Sequence, residues 1–316
     1  MPVAGWLALA GGGVVAIVWG AETFAEHLAA AAHRLGVSAF ALTILLAGAE
    51  PEELATAVTA ALRGAPAIAL GDVVGANIAI CLVALGLGAF LTALPFGTQV
   101  RRYAVAGLPA GALGAAFAWD GTVTRLEGVV LVAGYVAFVA VIWLAERQPP
   151  HLGETAELEE AAAGPPGRVG RELALVVAGV AGMALGAVAL VEGVRRAAHV
   201  ESSQLDLGLV VVGFATAFEL VVLAWSAARR GITAAVVAGV VGSYTYNATM
   251  TLGTGALARP LRIADAARLH PPWLAMVAAM GLVLALSWRR SRLGRPEGLA
   301  LLACYPLYVT AVLVAW

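Results

Sequence analysis

Long apolar runs, broken only by short polar or Gly/Pro-rich stretches, fill the chain from end to end. Runs of about 18 residues or more with few charges are long enough to cross a hydrocarbon layer of about 30 Å as a helix. They fall at 4–31, 38–62, 66–93, 103–119, 124–145, 171–194, 207–228, 232–257, 271–288 and 297–316. The pattern predicts an all-α polytopic membrane protein of about ten transmembrane helices. One connector, 146–171, is clearly polar, with Pro149, Pro150, Pro165, Pro166 and the acids Glu154, Glu157, Glu159 and Glu160. It is expected to be a solvated linker, 147–170, between a first half, 1–146, and a second, 171–316.

The two halves share an internal pattern. Residues 48–86 read GAEPEELATAVTAALRGAPAIALGDVVGANIAICLVALG, and 213–253 read GFATAFELVVLAWSAARRGITAAVVAGVVGSYTYNATMTLG. Glu26 and Glu53 are 27 residues apart, as are Glu192 and Glu219, so both acids shift by 166 between copies. One residue further on in register, Gly75 maps to Gly242, Asn77 to Tyr244 and Gly86 to Gly253. Matching acids in phase point to duplication. With five spans per copy, an odd number, the second copy enters the membrane inverted.

Composition removes the soluble classes, since 61% of residues are apolar and only 12% charged. The 19 basic residues are all arginine. Twelve of them (Arg34, Arg101, Arg102, Arg147, Arg168, Arg171, Arg229, Arg230, Arg289, Arg290, Arg292 and Arg295) fall in connectors after odd-numbered spans. That side is expected to be cytoplasmic, leaving both termini outside in a multi-pass plasma-membrane protein. Arg259, Arg262 and Arg268 run against the bias. Trp119, Trp273, Trp288 and Trp316 stand at span ends, as an aromatic belt would place them. The N-terminal run has no basic n-region and reads as a span rather than a cleaved signal. The net charge of −1 suggests no nucleic-acid partner, the five histidines lack metal-ligand spacing, and Cys81 and Cys304 lie inside spans.

Acids inside apolar spans are costly unless they face a cavity or a cation. In the second span Glu50 and Glu53 are three residues apart and share a face with Thr56, while Glu52 points about 100° away. Pro51 lacks an amide hydrogen, so 48–51 is a predicted interruption after which a half-helix begins, with Glu52 and Glu53 near its positive end. Unwound carbonyls beside carboxylates suit a dehydrating cation. In the seventh span Thr216 and Glu219 repeat the spacing without a proline. GDVVG at 71–75 and GVVG at 239–242 give close-approach points, flanked by the polar groups Asp72, Asn77, Ser243, Thr245 and Asn247. Glu26 and Glu192, one in the first span of each copy, are either acids of an access route or charges at wet helix ends; Glu22 lies one turn before Glu26.

GAEPEELATA with GDVVGANIAICLVALG resembles the repeats of the cation/calcium antiporter superfamily, the sodium/calcium exchanger group, whose copies read like GTSxPELxTS followed by GNxxGSNxxNxxxxLG. WGAETFAEHLAAAAHRLGVSAFALTILLAG resembles that family's first helix and its junction to the second. The resemblance implies two inverted five-helix repeats, a cation site among spans 2, 3, 7 and 8, and exchange by spans 1 and 6 sliding past that core. It places Glu53 and Glu219 at the family's paired calcium-binding glutamates and Ser243 at a family serine, with Asn247 where a third acid or an asparagine stands. Glu50 and Thr216 replace serines, Ala49 and Ala215 threonines, Ala76 a serine, and Ile80 and Tyr244 asparagines, so hydroxyls and amides are missing where the family binds sodium. The extra acids Glu50 and Asp72, close to Glu53 in that fold, favour proton uptake when the metal leaves. The expectation is a secondary antiporter exchanging a divalent cation, calcium, for Na+ or H+. The metal would be held by Glu53 and Glu219 with Glu50 or Asp72, and no cofactor is expected. Its partners are the lipid bilayer and inorganic cations. A passive cation channel using the same acids, or a transport-inactive scaffold of the same fold, remains open. An intramembrane hydrolase has no support, because HExxH and GxSxG are absent.

Overall fold

The computed structural model describes residues 2–35, 50–146, 169–230 and 233–315. The described residues are almost all helical, as a chain in hydrocarbon must be to satisfy its own amides. Among the described residues, seven helices are long and apolar enough to cross a membrane: Val3–Ala32, Pro66–Leu91, Arg125–Leu144, Val169–Ala197, Glu201–Ser226, Ala266–Trp288 and Arg295–Val314. Of the other expected spans, the second is described only from residue 50, as the Pro51–Leu62 helix. The fourth is the Thr98–Phe117 helix, which carries Arg101 and Arg102, and the eighth runs from Thr233 to Ala258. Nearly all of the polar linker, and Trp316, lie outside the described residues.

Burial sorts the helices into core and periphery. The Pro66–Leu91 span is 83% buried, whereas Val3–Ala32 and Arg295–Val314 are each 22% buried. Exposed Val15, Leu185, Leu307 and Val314 give the outer helices an apolar face toward lipid. Trp119 and Trp288 are exposed at helix ends, as a belt requires. Trp273 is not a belt residue: it is fully buried, its ring close to Gly114. Proximity to a span end says nothing about which face of the helix a ring occupies.

Contacts between the halves recur at positions related by the 166-residue spacing. The Val3–Arg34 and Val169–Ala197 helices run antiparallel along a glycine seam. A Cβ on Gly13 would meet Gly186 O at 2.6 Å, and one on Gly20 would meet Gly179 O at 2.7 Å. In the 166-residue register Gly13 corresponds to Gly179 and Gly20 to Gly186, so each contact is the other's symmetry mate, as in an isologous interface. Bare glycines let the backbones touch without a hydrophobic driving force. Two further glycine contacts are as close, a Cβ on Gly298 lying 2.7 Å from Gly86 O and one on Gly128 lying 2.7 Å from Gly253 O.

Two short antiparallel strand pairs tie one half to the other. Leu94–Pro95 pairs with Arg292–Leu293, and Thr122–Val123 pairs with Leu261–Arg262. Each pair joins connectors that the arginine count puts on one side of the membrane.

Candidate cation site

Local sequence places the acids at two helix starts. Glu50 has non-helical angles, φ −115° and ψ 84°, and precedes Pro51, which opens the Pro51–Leu62 helix. A proline at the first helical position gives up an amide that would be unpaired anyway. Glu52 and Glu53 therefore sit in the first turn, near the positive end of the helix dipole. The second copy breaks at the matching point without a proline. The Gly213–Thr216 helix ends at Ala217, φ −72° and ψ −6°, and a new helix starts at Phe218 with Glu219 in its first turn. The residues outside the helices, Glu50 and Ala217, are 167 apart, one residue off the 166-residue spacing of the acids.

The partner helices are also distorted in register. A wide-turn π segment interrupts each, at Ile80–Ala84 and at Asn247–Thr251, 167 residues apart. A third lies at Gly208–Val212, just before the seventh-span break. Such segments concentrate at functional sites, because the extra residue per turn releases backbone carbonyls.

Around these breaks the polar residues converge. Glu50, Glu52, Glu53, Asp72, Asn77, Thr216, Ser243 and Asn247 are all buried. Thr216 donates its hydroxyl to Asp72 Oδ1 at 2.9 Å and also approaches Val212 O at 3.2 Å. Ser243 Oγ contacts Glu50 Oε1 and lies 3.0 Å from Gly239 O. Glu50 and Thr216 are equivalent positions of the two copies, so each side has one carboxyl–hydroxyl couple, with the groups exchanged between helices. Asn77 donates to Tyr244 O at 3.1 Å, and Asn247 donates to Asn77 Oδ1 at 3.3 Å. Asn247 in turn accepts from Thr251 at 3.2 Å.

Glu53 stands apart. It is 2% exposed, and no group among the described residues reaches either carboxylate oxygen in full hydrogen-bonding geometry, although the Asn247 side chain stands beside it. Glu52, Asp72 and Glu219 are its charged neighbours, all of the same sign. Asp72 Oδ2 is likewise buried without a hydrogen bond there. A buried acid in such company needs a positive charge or a proton. No three His, Cys, Asp or Glu side chains among the described residues converge as a closed metal cluster. Glu52 and Glu53 stand in the first turn of one helix and Glu219 in the first turn of another.

Outside this cluster the expectations separate. Glu192 is held by Arg196 and, at 3.5 Å, by Arg195, while Glu26 is exposed beside exposed Glu22. Their shared register does not give them a shared environment. Tyr135 and Tyr246 were not readable from the motifs. Their rings meet edge to face at 5.2 Å, and both lie within Coulombic range of Glu50. The YTYN run at 244–247 was the available signal for Tyr246; Tyr135 had none.

Thr216→Ala is expected to lower stability by about 1–3 kcal/mol, because Asp72 Oδ1 loses a buried donor. Thr216→Ser restores the hydroxyl. Denaturant unfolding of the three proteins checks this; equal stability of the alanine variant and the parent would remove any structural weight from the couple.

The chain is similar to known proteins over both halves. The family model described as "Sodium/calcium exchanger protein" matches residues 5–144 and 172–314. The chain is 27% identical over 301 residues to "Putative antiporter CaxA" of Alkalimonas amylolytica, covering 93% of this chain and 94% of that one. It is 33% identical over 134 residues to "Sodium/calcium exchanger MaX1" of Methanosarcina acetivorans, 40% of this chain and 38% of the relative. Its fold resembles a solved structure of the sodium-calcium exchanger NCX_Mj soaked with Na+ and Sr2+, with TM-score 0.63 and 21% identity over 99% of both chains.

Proposed function

The chain belongs to the sodium/calcium exchanger protein family, and from that premise we propose that it exchanges a divalent cation, calcium, for Na+ or H+ by alternating access. A family model covering both halves makes it a membrane transporter of cations. The observation that carries the finer reading is Glu53, buried in the first turn of the Pro51–Leu62 helix with the acids Glu52, Asp72 and Glu219 as its charged neighbours. Glu53 and Glu219 hold the cation in this reading, assisted by Glu50 and the oxygens of Asn77 and Asn247. Hard oxygen donors of this kind suit calcium.

The architecture proposed with it is ten helices in two inverted repeats, 1–146 and 171–316, with 147–170 cytoplasmic and both termini outside the plasma membrane. Three features support it: antiparallel packing of the Val3–Arg34 and Val169–Ala197 helices, exchange-symmetric glycine contacts, and strand pairs joining connectors of like parity. The glycine seam makes the two long helices one body, suited to sliding past the buried core.

Two features favour protons as the counter-ion. Ala49, Ala76, Ala215, Ile80 and Tyr244 stand where hydroxyls or amides are needed for sodium. The hydroxyls of Thr216 and Ser243 each have a backbone carbonyl as second acceptor, Val212 O and Gly239 O. Each can turn to that carbonyl and accept a hydrogen bond from a protonated Asp72 or Glu50.

The test is calcium uptake into proteoliposomes under an outward sodium gradient and, separately, an outward proton gradient. Uptake driven by the proton gradient alone is the expected result. Uptake driven by sodium alone would move the counter-ion to sodium, and no uptake under either would overturn the calcium assignment.

A further inference from the structure

Where the Pro51–Leu62 helix ends, a cavity of about 450 Å³ opens between the Gly64 turn and the Arg259–Arg262 segment. The turn is built by sequence. Gly64 takes φ +68°, a left-handed angle, while Gly64 N and Ala65 N bond back to Ala61 O and Ala60 O at 3.1 and 2.9 Å. A Cβ on Gly64 would lie 3.0 Å from Arg259 Nη1, so the guanidinium rests over the bare turn. Arg262 is held on the strand paired with Thr122–Val123. Pro66, which opens the 14-residue helix Pro66–Ala79, also lines the cavity and brings the positive end of that helix to it.

Nothing negative answers this charge. Neither Arg259 nor Arg262 makes a side-chain hydrogen bond or ion pair among the described residues. Of the acids nearby in the fold, Glu192 is engaged by Arg195 and Arg196, Asp206 by Arg268 at 3.1 Å, and Glu201 by the Ala264 amide at 3.2 Å, while exposed Asp265, three residues after Arg262, makes no ion pair with either arginine among the described residues. These arginines also lie on the side that the charge bias leaves poor in arginine, so topology gives no reason for them. A cation on its way to Glu53 would be repelled here. The cavity stands where the apolar helices end, beside Leu62, which is 61% exposed.

We propose that this cavity binds a phosphate group, carried either by the headgroup of an anionic lipid or by free inorganic phosphate, through the guanidinium forks of Arg259 and Arg262. Planar forks match phosphate oxygens two at a time, which ammonium groups do not.

The test uses the full chain in phosphatidylcholine nanodiscs. In one arm phosphatidylglycerol is added to the bilayer; in the other, inorganic phosphate replaces chloride at equal ionic strength. Binding is read by native mass spectrometry and by the shift in thermal midpoint against each protein's own phosphatidylcholine baseline. A response to phosphatidylglycerol alone assigns the site to lipid, and a response to inorganic phosphate assigns it to the free anion. In either case Arg259→Gln with Arg262→Gln is expected to weaken binding about tenfold or more. Arg259→Lys, which keeps the charge and loses the fork, is expected to fall between. Failure of both probes to bind, or binding by the variants equal to that of the parent, would overturn the site.

Discussion

Glu53→Gln is expected to abolish calcium exchange while leaving the protein at least as stable as its parent. Truncating one member of a buried charge pair costs about 2–5 kcal/mol of binding, about thirtyfold to several thousandfold in affinity. With calcium as the partner, the exchange rate at limiting calcium falls by the same factor. Stability moves the other way. Glu53 is buried among Glu52, Asp72 and Glu219, with only the Asn247 side chain beside it and no hydrogen bond of full geometry to its oxygens among the described residues. The neutral amide removes like-charge repulsion at nearly constant volume, so the metal-free variant is expected to melt no lower than the metal-free parent. Calcium should raise the melting temperature of the parent and leave that of the variant unmoved. Proteoliposome flux and a calcium titration of thermal unfolding measure the two halves separately. A variant that still exchanges calcium at the parental rate would remove Glu53 from the cation site, whatever its stability.

Glu53 was legible because its signal is local and expensive: an acid in an apolar run, two residues after a proline that must end a helix. The same holds for Glu219 by register. The break at Ala217 was weaker in sequence, since alanine carries no geometric demand; it comes from the preceding π segment and the close backbone packing of that stretch. Pairings between distant helices were least legible. Nothing in the run around Tyr135 announces that it lies beside Glu50, because that neighbourhood exists only after the Arg125–Glu146 helix packs. Trp273 shows the converse, an interfacial residue by position that tertiary packing buries completely. Glu26 and Glu192 share a register and not an environment, since only the second has arginines one turn away on its own helix. Periodicity fixes which residues share a face, and the neighbouring helices decide what that face meets.

Gly75→Val is expected to cost the most of any single change at the core, because its neighbours are backbone. A Cβ there would run into Leu209 O, with Leu209 C and Cα at 2.8 and 3.0 Å. On the facing helix a Cβ on Gly213 would lie 2.7 Å from Gly75 Cα, so the two glycines mark one crossing with no side chain available to yield. Overpacking of a dense core costs about 1–3 kcal/mol when side chains can give way, and more is expected where they cannot. Relief requires the Pro66–Ala79 helix and the 208–216 stretch to separate. Asp72 lies one turn before Gly75 and Thr216 one turn after the crossing, so separation stretches their 2.9 Å hydrogen bond and moves the acids apart. The variant should therefore lose calcium-dependent stabilisation together with basal stability. Gly134→Val is the matched control, with the same change in helix propensity at a glycine whose Cβ would meet nothing within 4 Å. Thermal unfolding of both variants, with and without calcium, separates the local clash from the general cost of valine in a helix. If Gly75→Val melted with Gly134→Val and kept its calcium response, the crossing would not be what holds the acids in place.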